Sequence, residues 1–208
     1  MTAVRVDLVK GSRALASADP ALNAVIRDIG PCGPIRREVP AFELLCWIIA
    51  NQQLSTRAAA RIHERVKRTL GAGCSPEVAR VCTPPELRAA GLSLPKARAV
   101  IQIAELVCQG HLDFDQLETL DDQAVKRRLC KLPGVGTWSA EMYLLFGLGR
   151  VDVFAPSDLG LRQAIRRLDG LDDMPSHADC AQRAEQWRPY RSIAAWYLWR
   201  WLETEVVH

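Results

Sequence analysis

The sequence predicts an all-α chain, and three observations carry the prediction. Apolar residues recur mainly at helical spacing, strand-like alternation is short wherever it occurs, and helix caps and stops bracket the apolar stretches. At 208 residues with 49% hydrophobic composition, the chain can bury one substantial core, or a core divided between two closely packed lobes.

Pro40 is expected to open a helix with Phe42, Leu45 and Ile49 on one stripe, because a proline in the first turn lacks only an N–H that would be unpaired there anyway. That helix runs into Asn51-Gln52-Gln53-Leu54-Ser55. Ser55 is placed to cap the next one, whose Ala59, Ile62, Val66 and Leu70 form a core face before Gly71. Thr83 and Glu86 have capping-box spacing in a short helix that stops at Gly91. A further helix from Lys96 to Cys108 sets Val100, Ala104 and Val107 on one side and stops at Gly110. Asp121 and Asp122 suit the N-terminus of the following helix, and Lys126, Arg127 and Arg128 suit its C-terminal end, as the macrodipole prefers. Leu132-Pro133-Gly134-Val135-Gly136 then leads into a helical pattern from Thr137 to Phe146, closed by Gly147.

Composition removes several function classes. Twenty-seven Lys and Arg against 24 Asp and Glu leave a formal +3, too mild to establish a nucleic-acid partner by itself, so charge placement has to carry that argument. The seven cysteines, at 32, 46, 74, 82, 108, 130 and 180, are scattered without a C-x-x-C pair. The histidines at 63, 111, 177 and 208 are equally dispersed, and no metal-centred mechanism is expected. Met1 through Pro20 is broken by Arg5, Asp7, Lys10 and Arg13, and no run approaches membrane-spanning length. Reduced thiols and a cytoplasmic location, away from membranes, are the expectation.

The glycine hairpin is the most informative segment. Its two glycines permit tight backbone geometry and leave amide N–H groups beside a helix N-terminus, an arrangement that can hold a phosphate without reading sequence. Taken alone, P-G-x-G is equally an ordinary connection between helices.

The longer string L-P-G-V-G-T-W-S-A-E-M from Leu132, followed by D-V-F-A-P-S-D-L-G-L-R from Asp152 to Arg162, resembles the helix-hairpin-helix DNA glycosylases, most closely the 3-methyladenine glycosylase II branch. I-I-A-N-Q-Q-L-S around Gln53, G-L-S-L-P-K-A-R near Lys96, and W-R-P-Y-R-S before an aromatic-rich helix extend the resemblance over most of the chain. It implies a two-lobed all-α glycosylase fold with a DNA-binding cleft between the lobes. Residues 38–147 would form a helical-barrel lobe with the hairpin at 132–136, and 1–37 plus 148–208 the second lobe. The chain looks like a short form, without the N-terminal β-containing domain of the bacterial type member.

The resemblance also implies roles. Asp158 matches the catalytic carboxylate, at the start of a helix whose Leu161, Ile165 and Leu168 face a core; capping is its competing role. Beside a deoxyribose, such a carboxylate stabilises positive charge at the anomeric carbon as the base departs and helps orient the attacking water. Ser157 stands where close members often carry aspartate. Trp138 occupies the position of the Schiff-base lysine in lyase-competent relatives, so base excision without amine-dependent strand cleavage is implied. Trp138, Trp199 and Met142 match the base pocket, with core packing as the alternative for the tryptophans; Met142 replaces a tyrosine of the type member. Gln53 matches the wedge that fills the gap left by a flipped nucleotide, with a helix C-cap as its bland role and Gln52 or Leu54 as alternatives. Gly134, Gly136 and Thr137 match the phosphate-binding hairpin, and Arg162, Arg166, Arg167, Arg188 and Arg191 are expected to add attraction for DNA.

No cofactor is expected to be required: the four-cysteine signature of iron–sulfur members is absent, and a monovalent cation on hairpin carbonyls would be structural. The implied partner is double-stranded damaged DNA, met by a monomer. Two other readings stay open at this point, a glycosylase of the same fold for another damaged or mismatched base, and a non-enzymatic helix-hairpin-helix DNA-binding module. A helical protein-interaction scaffold is a more distant third.

Overall fold

The structure is a computed structural model that describes residues 3–54, 56–71 and 73–205, with side chains over 8–54, 58–71 and 73–204. Among the described residues it contains thirteen helices and no strand. In chain order, α1 (Ala3–Ala18) and α2 (Pro20–Ile29) precede α3 (Ala41–Asn51), α4 (Thr56–Leu70), α5 (Pro76–Ala79), α6 (Pro84–Ala89) and α7 (Leu94–Cys108). They are followed by α8 (Phe114–Thr119), α9 (Asp122–Leu129), α10 (Thr137–Phe146), α11 (Leu159–Leu168), α12 (His177–Glu185) and α13 (Arg191–Glu205). The helices divide into two compact units, one of Arg37–Leu148 and one built from both chain ends, Met1–Arg36 and Gly149–His208.

In the first unit, α3 packs against α4, α7 and α10, and α9 against α10. The α3 helix is buried on more than the one stripe its periodicity predicts: Phe42, Leu44, Leu45, Cys46, Ile48, Ile49 and Ala50 are all inside. Pro40 is its N-cap rather than its first helical residue, and α7 begins at Leu94 rather than Lys96, with Pro95 in its opening turn. The expected Ser55 cap lies outside the described residues. Gly71, Gly91 and Gly110 follow their helices at positive φ, and the Glu86 carboxylate accepts from the Thr83 N–H at 2.6 Å. Asp121 caps α9 by accepting from the Ala124 N–H at 2.8 Å.

Ser139 through Leu145 of α10 are buried, so two polar side chains enter the core and each needs a partner. Glu141 pairs with Lys126 at 2.7 Å, and the Ser139 hydroxyl accepts from Gln52 at 2.9 Å.

In the second unit, α13 packs against α1, α2 and α11, and α12 against α11. Buried aromatic anchors carry polar tips that find partners. The Trp187 indole donates to Asp19 at 2.8 Å, and the Tyr197 hydroxyl donates to the Gly30 carbonyl at 3.0 Å. Asp19 also caps α2 and meets Arg183 at 2.8 Å, so one buried carboxylate ties α2 to α12 and to the turn before α13.

Candidate active site and nucleic-acid interface

The hairpin belongs to the Arg37–Leu148 unit, and its two glycines do different work. Gly134 has φ +71°, the left-handed region, and a Cβ there would come within 2.8 Å of the Ala99 Cβ. Both conformation and packing demand glycine at that position. Gly136 has φ −99° and ψ −176°, extended backbone open to any residue, and a Cβ there would meet nothing within 4 Å. Nothing inside the protein asks for a glycine at 136. It is the N-cap of α10, and having no side chain it leaves the first-turn N–H groups without a side-chain acceptor from the cap residue. Thr137, the first residue of α10, is exposed. An open helix N-terminus with no side chain in front of it is the geometry that receives an anion.

The loop after α3 is fastened to this hairpin. The Gln52 side-chain amide donates to the Gly134 carbonyl at 2.8 Å and to the Ser139 hydroxyl at 2.9 Å. From the other side, the Lys96 ammonium donates to the carbonyls of Ala50 at 3.2 Å and Gln52 at 2.7 Å. Burial pulls its pKa below the ordinary lysine value. Gln52 is thus the C-cap of α3 and faces inward, while the next residue, Gln53, is exposed at φ +56°. A non-glycine residue held left-handed by anchored neighbours is a position where structure has overridden local preference. Of the three wedge candidates, Gln52 is committed to the hairpin, and Gln53 and Leu54 point outward. The anchoring by Gln52 and Lys96 escapes sequence reasoning, because the contacts span 82 and 44 residues.

Trp138 and Met142 lie four residues apart on α10 and therefore share a face. Trp138 is half-buried and Met142 is buried at 2% exposure.

The second constellation belongs to the unit of the chain ends. Asp158 is the N-cap of α11, and its Oδ1 accepts from the Leu161 N–H at 2.9 Å, so the capping role is real. The same oxygen accepts the Trp199 indole N–H at 2.9 Å. Two donors on one oxygen fix the carboxylate's plane and rotamer, whereas a simple cap needs only one. Gly160 lies against both partners: a Cβ there would sit 3.2 Å from Asp158 Oδ1 and 3.2 Å from the Trp199 ring. Trp199 thereby contacts the carboxylate directly rather than only packing in the aromatic run of α13. Ser157 is exposed and Asp158 half-buried.

The expected arginine field is only partly delivered. Arg188 meets Asp152 at 2.9 Å and Glu185 at 2.7 Å, and Arg191 meets the same two acids at 2.8 and 3.2 Å, so both are occupied within the protein. Asp152, seen in the sequence only as part of a motif, is the hub of that network. Arg162 donates to the Pro175 carbonyl at 3.0 Å, and Arg167 lies over the Trp201 ring at 4.3 Å. Among the described residues, no group of three or more His, Cys, Asp or Glu side chains is placed to hold a metal ion.

The family described as HhH-GPD superfamily base excision DNA repair protein matches residues 46–189, a span that takes in the loop after α3, the hairpin and Asp158. The chain belongs to that superfamily. DNA-3-methyladenine glycosylase 1 of Schizosaccharomyces pombe is 31% identical over 93% of this chain and 87% of its own length. DNA-3-methyladenine glycosylase 2 of Escherichia coli is 32% identical over 77% of this chain and 57% of its own. A putative DNA-3-methyladenine glycosylase of Bacillus subtilis is 30% identical over 82% of this chain, and the match spans 62% of that protein's length. In three dimensions this HhH-GPD protein is similar to the S. pombe 3-methyladenine DNA glycosylase Mag1 in complex with abasic DNA, with a TM-score of 0.87 at 30% identity, covering 92% of this chain and 95% of that one. It shares its fold with an 8-oxoguanine glycosylase/lyase of Clostridium acetobutylicum, at a TM-score of 0.79 and 18% identity, over 97% of this chain and 71% of that one.

For this superfamily member the exposed left-handed Gln53 yields a direct expectation. Gln53→Ala keeps the backbone strain and removes only an outward side chain, so thermal stability stays the same. Affinity for an abasic-site duplex falls about fivefold to tenfold, roughly 1–1.4 kcal/mol. Fluorescence anisotropy measures it; unchanged affinity together with unchanged excision removes the wedge assignment.

Proposed function

We propose that this chain is a monofunctional DNA glycosylase that flips alkylated purines of the 3-methyladenine type out of duplex DNA and hydrolyses their N-glycosidic bond. It acts as a monomer and requires no cofactor. The observation that carries the proposal is the doubly held Asp158 carboxylate, with Leu161 N–H and Trp199 Nε1 both at 2.9 Å from Oδ1. A carboxylate of fixed orientation suits the stabilisation of an oxocarbenium-like transition state, because its charge is already aligned when positive charge appears on the sugar. The glycosylase names of the similar proteins support the same reading.

An N3- or N7-alkylated purine is a cation and therefore a good leaving group, which removes the need for a strong general acid. The half-buried Trp138 indole offers such a base a cation–π contact of roughly 0.5–2 kcal/mol. Tryptophan at this position has no amine to form a Schiff base, so the product is an intact abasic strand. Gly134, Gly136 and Thr137 take a backbone phosphate, and Gln53 fills the vacated stack. A monovalent cation on hairpin carbonyls would be structural; the Gly134 carbonyl is already engaged by Gln52.

The test is release of free 3-methyladenine and 7-methylguanine from methylated duplex DNA, followed by borohydride treatment of the reaction. Free base without a trapped covalent adduct is the expected result. A borohydride-stable adduct overturns the monofunctional assignment, and binding without release of either base overturns the alkyl-purine one.

A further inference from the structure

Within the Arg37–Leu148 unit, a groove of about 440 Å³ runs along α9 beside the C-terminal end of α7. Leu106, Leu112 and Leu132 give it an apolar floor, and Arg127, Arg128, Lys131 and His111 form its rim. Ala124, Arg127 and Arg128 share one face of α9 by their i, i+3, i+4 spacing, and Lys131 lines the same groove from the turn after the helix, so three cations form a stripe along it. Lys126 lies outside that stripe and is neutralised by Glu141 at 2.7 Å. Among the described residues, Arg127, Arg128 and Lys131 have no carboxylate partner, unlike Arg188 and Arg191. The N-cap Asp121 and the first-turn Asp122 belong to the opposite end of α9.

We propose that this groove is a second phosphodiester-binding site, holding the sugar–phosphate backbone that flanks the segment gripped by the hairpin. Its chemistry matches that ligand at two levels: the cationic rim meets phosphate oxygens, and the leucine floor meets the apolar face of deoxyribose. Leu132 is both part of the groove and the first residue of the hairpin, so the groove adjoins the segment that carries Gly134, Gly136 and Thr137. Cations in the last turn of α9 also complement the helix dipole, but that role requires neither a stripe nor a groove. The proposal rests on the DNA glycosylase reading above and adds to it a contact that serves affinity and leaves the chemical step alone.

The experiment compares the full-length chain with an Arg127→Gln/Arg128→Gln/Lys131→Gln variant and an Arg127→Lys/Arg128→Lys variant. Affinity for undamaged duplex is read across a salt series, alongside single-turnover 3-methyladenine release at saturating DNA. Each lost phosphate contact reduces the log–log salt slope by about 0.9, so the triple glutamine variant is expected to be shallower by about 2–3 with its excision rate unchanged. The lysine variant keeps the charge and the wild-type slope. An unchanged slope in a folded triple variant, or a slope already lost in the lysine variant, overturns the proposal. If a polyglutamate peptide binds wild type but not the triple variant while the DNA slope is unaffected, the groove belongs to an acidic protein partner and the proposal also falls. Wild-type protein without salt-dependent DNA binding would bring down the glycosylase reading itself, an outcome distinct from the others.

Discussion

An Asp158→Asn variant is expected to lose release of 3-methyladenine by about 10²–10³-fold while remaining folded. Asparagine keeps an oxygen where Oδ1 now accepts from Leu161 N–H and Trp199 Nε1, each at 2.9 Å, so the cap on α11 and the indole contact both survive. Only the negative charge is removed, and with it the stabilisation of the oxocarbenium-like transition state. Asp158→Ala is a poorer test because it also deletes the N-cap, at about 1 kcal/mol of stability. Single-turnover release on methylated duplex, with a melting curve of each variant, separates the two effects. Wild-type release by a folded asparagine variant would leave Asp158 as a cap alone and remove its catalytic assignment, while the chain stays a glycosylase.

The two hairpin glycines are expected to fail in opposite ways. Gly134→Ala places a Cβ in left-handed backbone and within 2.8 Å of the Ala99 Cβ. Backbone strain and overpacking together cost about 3 kcal/mol, which lowers Tm by about 6–12 °C for a chain of this size. Gly136→Ala sits in ordinary extended backbone with open space around the new methyl, so its stability loss stays below about 1 kcal/mol. Its methyl group instead occupies the place where a phosphate approaches the N–H groups of α10, and duplex affinity falls. Thermal melting and anisotropy on both variants give the crossed pattern. Gly136→Ala binding duplex as wild type does would remove the phosphate from this hairpin.

Local signals made much of this legible in advance. Thr83 with Glu86, Asp121 before α9, and glycines 71, 91 and 110 act through neighbours within a few residues, and the helices from α3 to α10 that carry such signals were readable. The sequence also carries a signal for α2, where Asp19 followed by Pro20 is an N-cap and an N1 proline, although the charged interruptions of Met1 through Pro20 draw attention first. Short helices such as α5 and α8 present too few residues for a period to appear.

By itself, then, the sequence determined the all-helical class, the hairpin and the motif around Asp158, because helix spacing, caps and glycine turns are written within one or two turns of chain. Tertiary structure alone decided which side chains are available. It turned Gln52 inward onto Gly134 and Ser139 and left Gln53 outward, set the Trp199 indole on Asp158, and occupied Arg188 and Arg191 with Asp152 and Glu185. The physical reason is that several of these partners lie 36 to 87 residues apart, and a hydrogen bond or ion pair across such a loop is fixed by packing of whole helices rather than by any local preference.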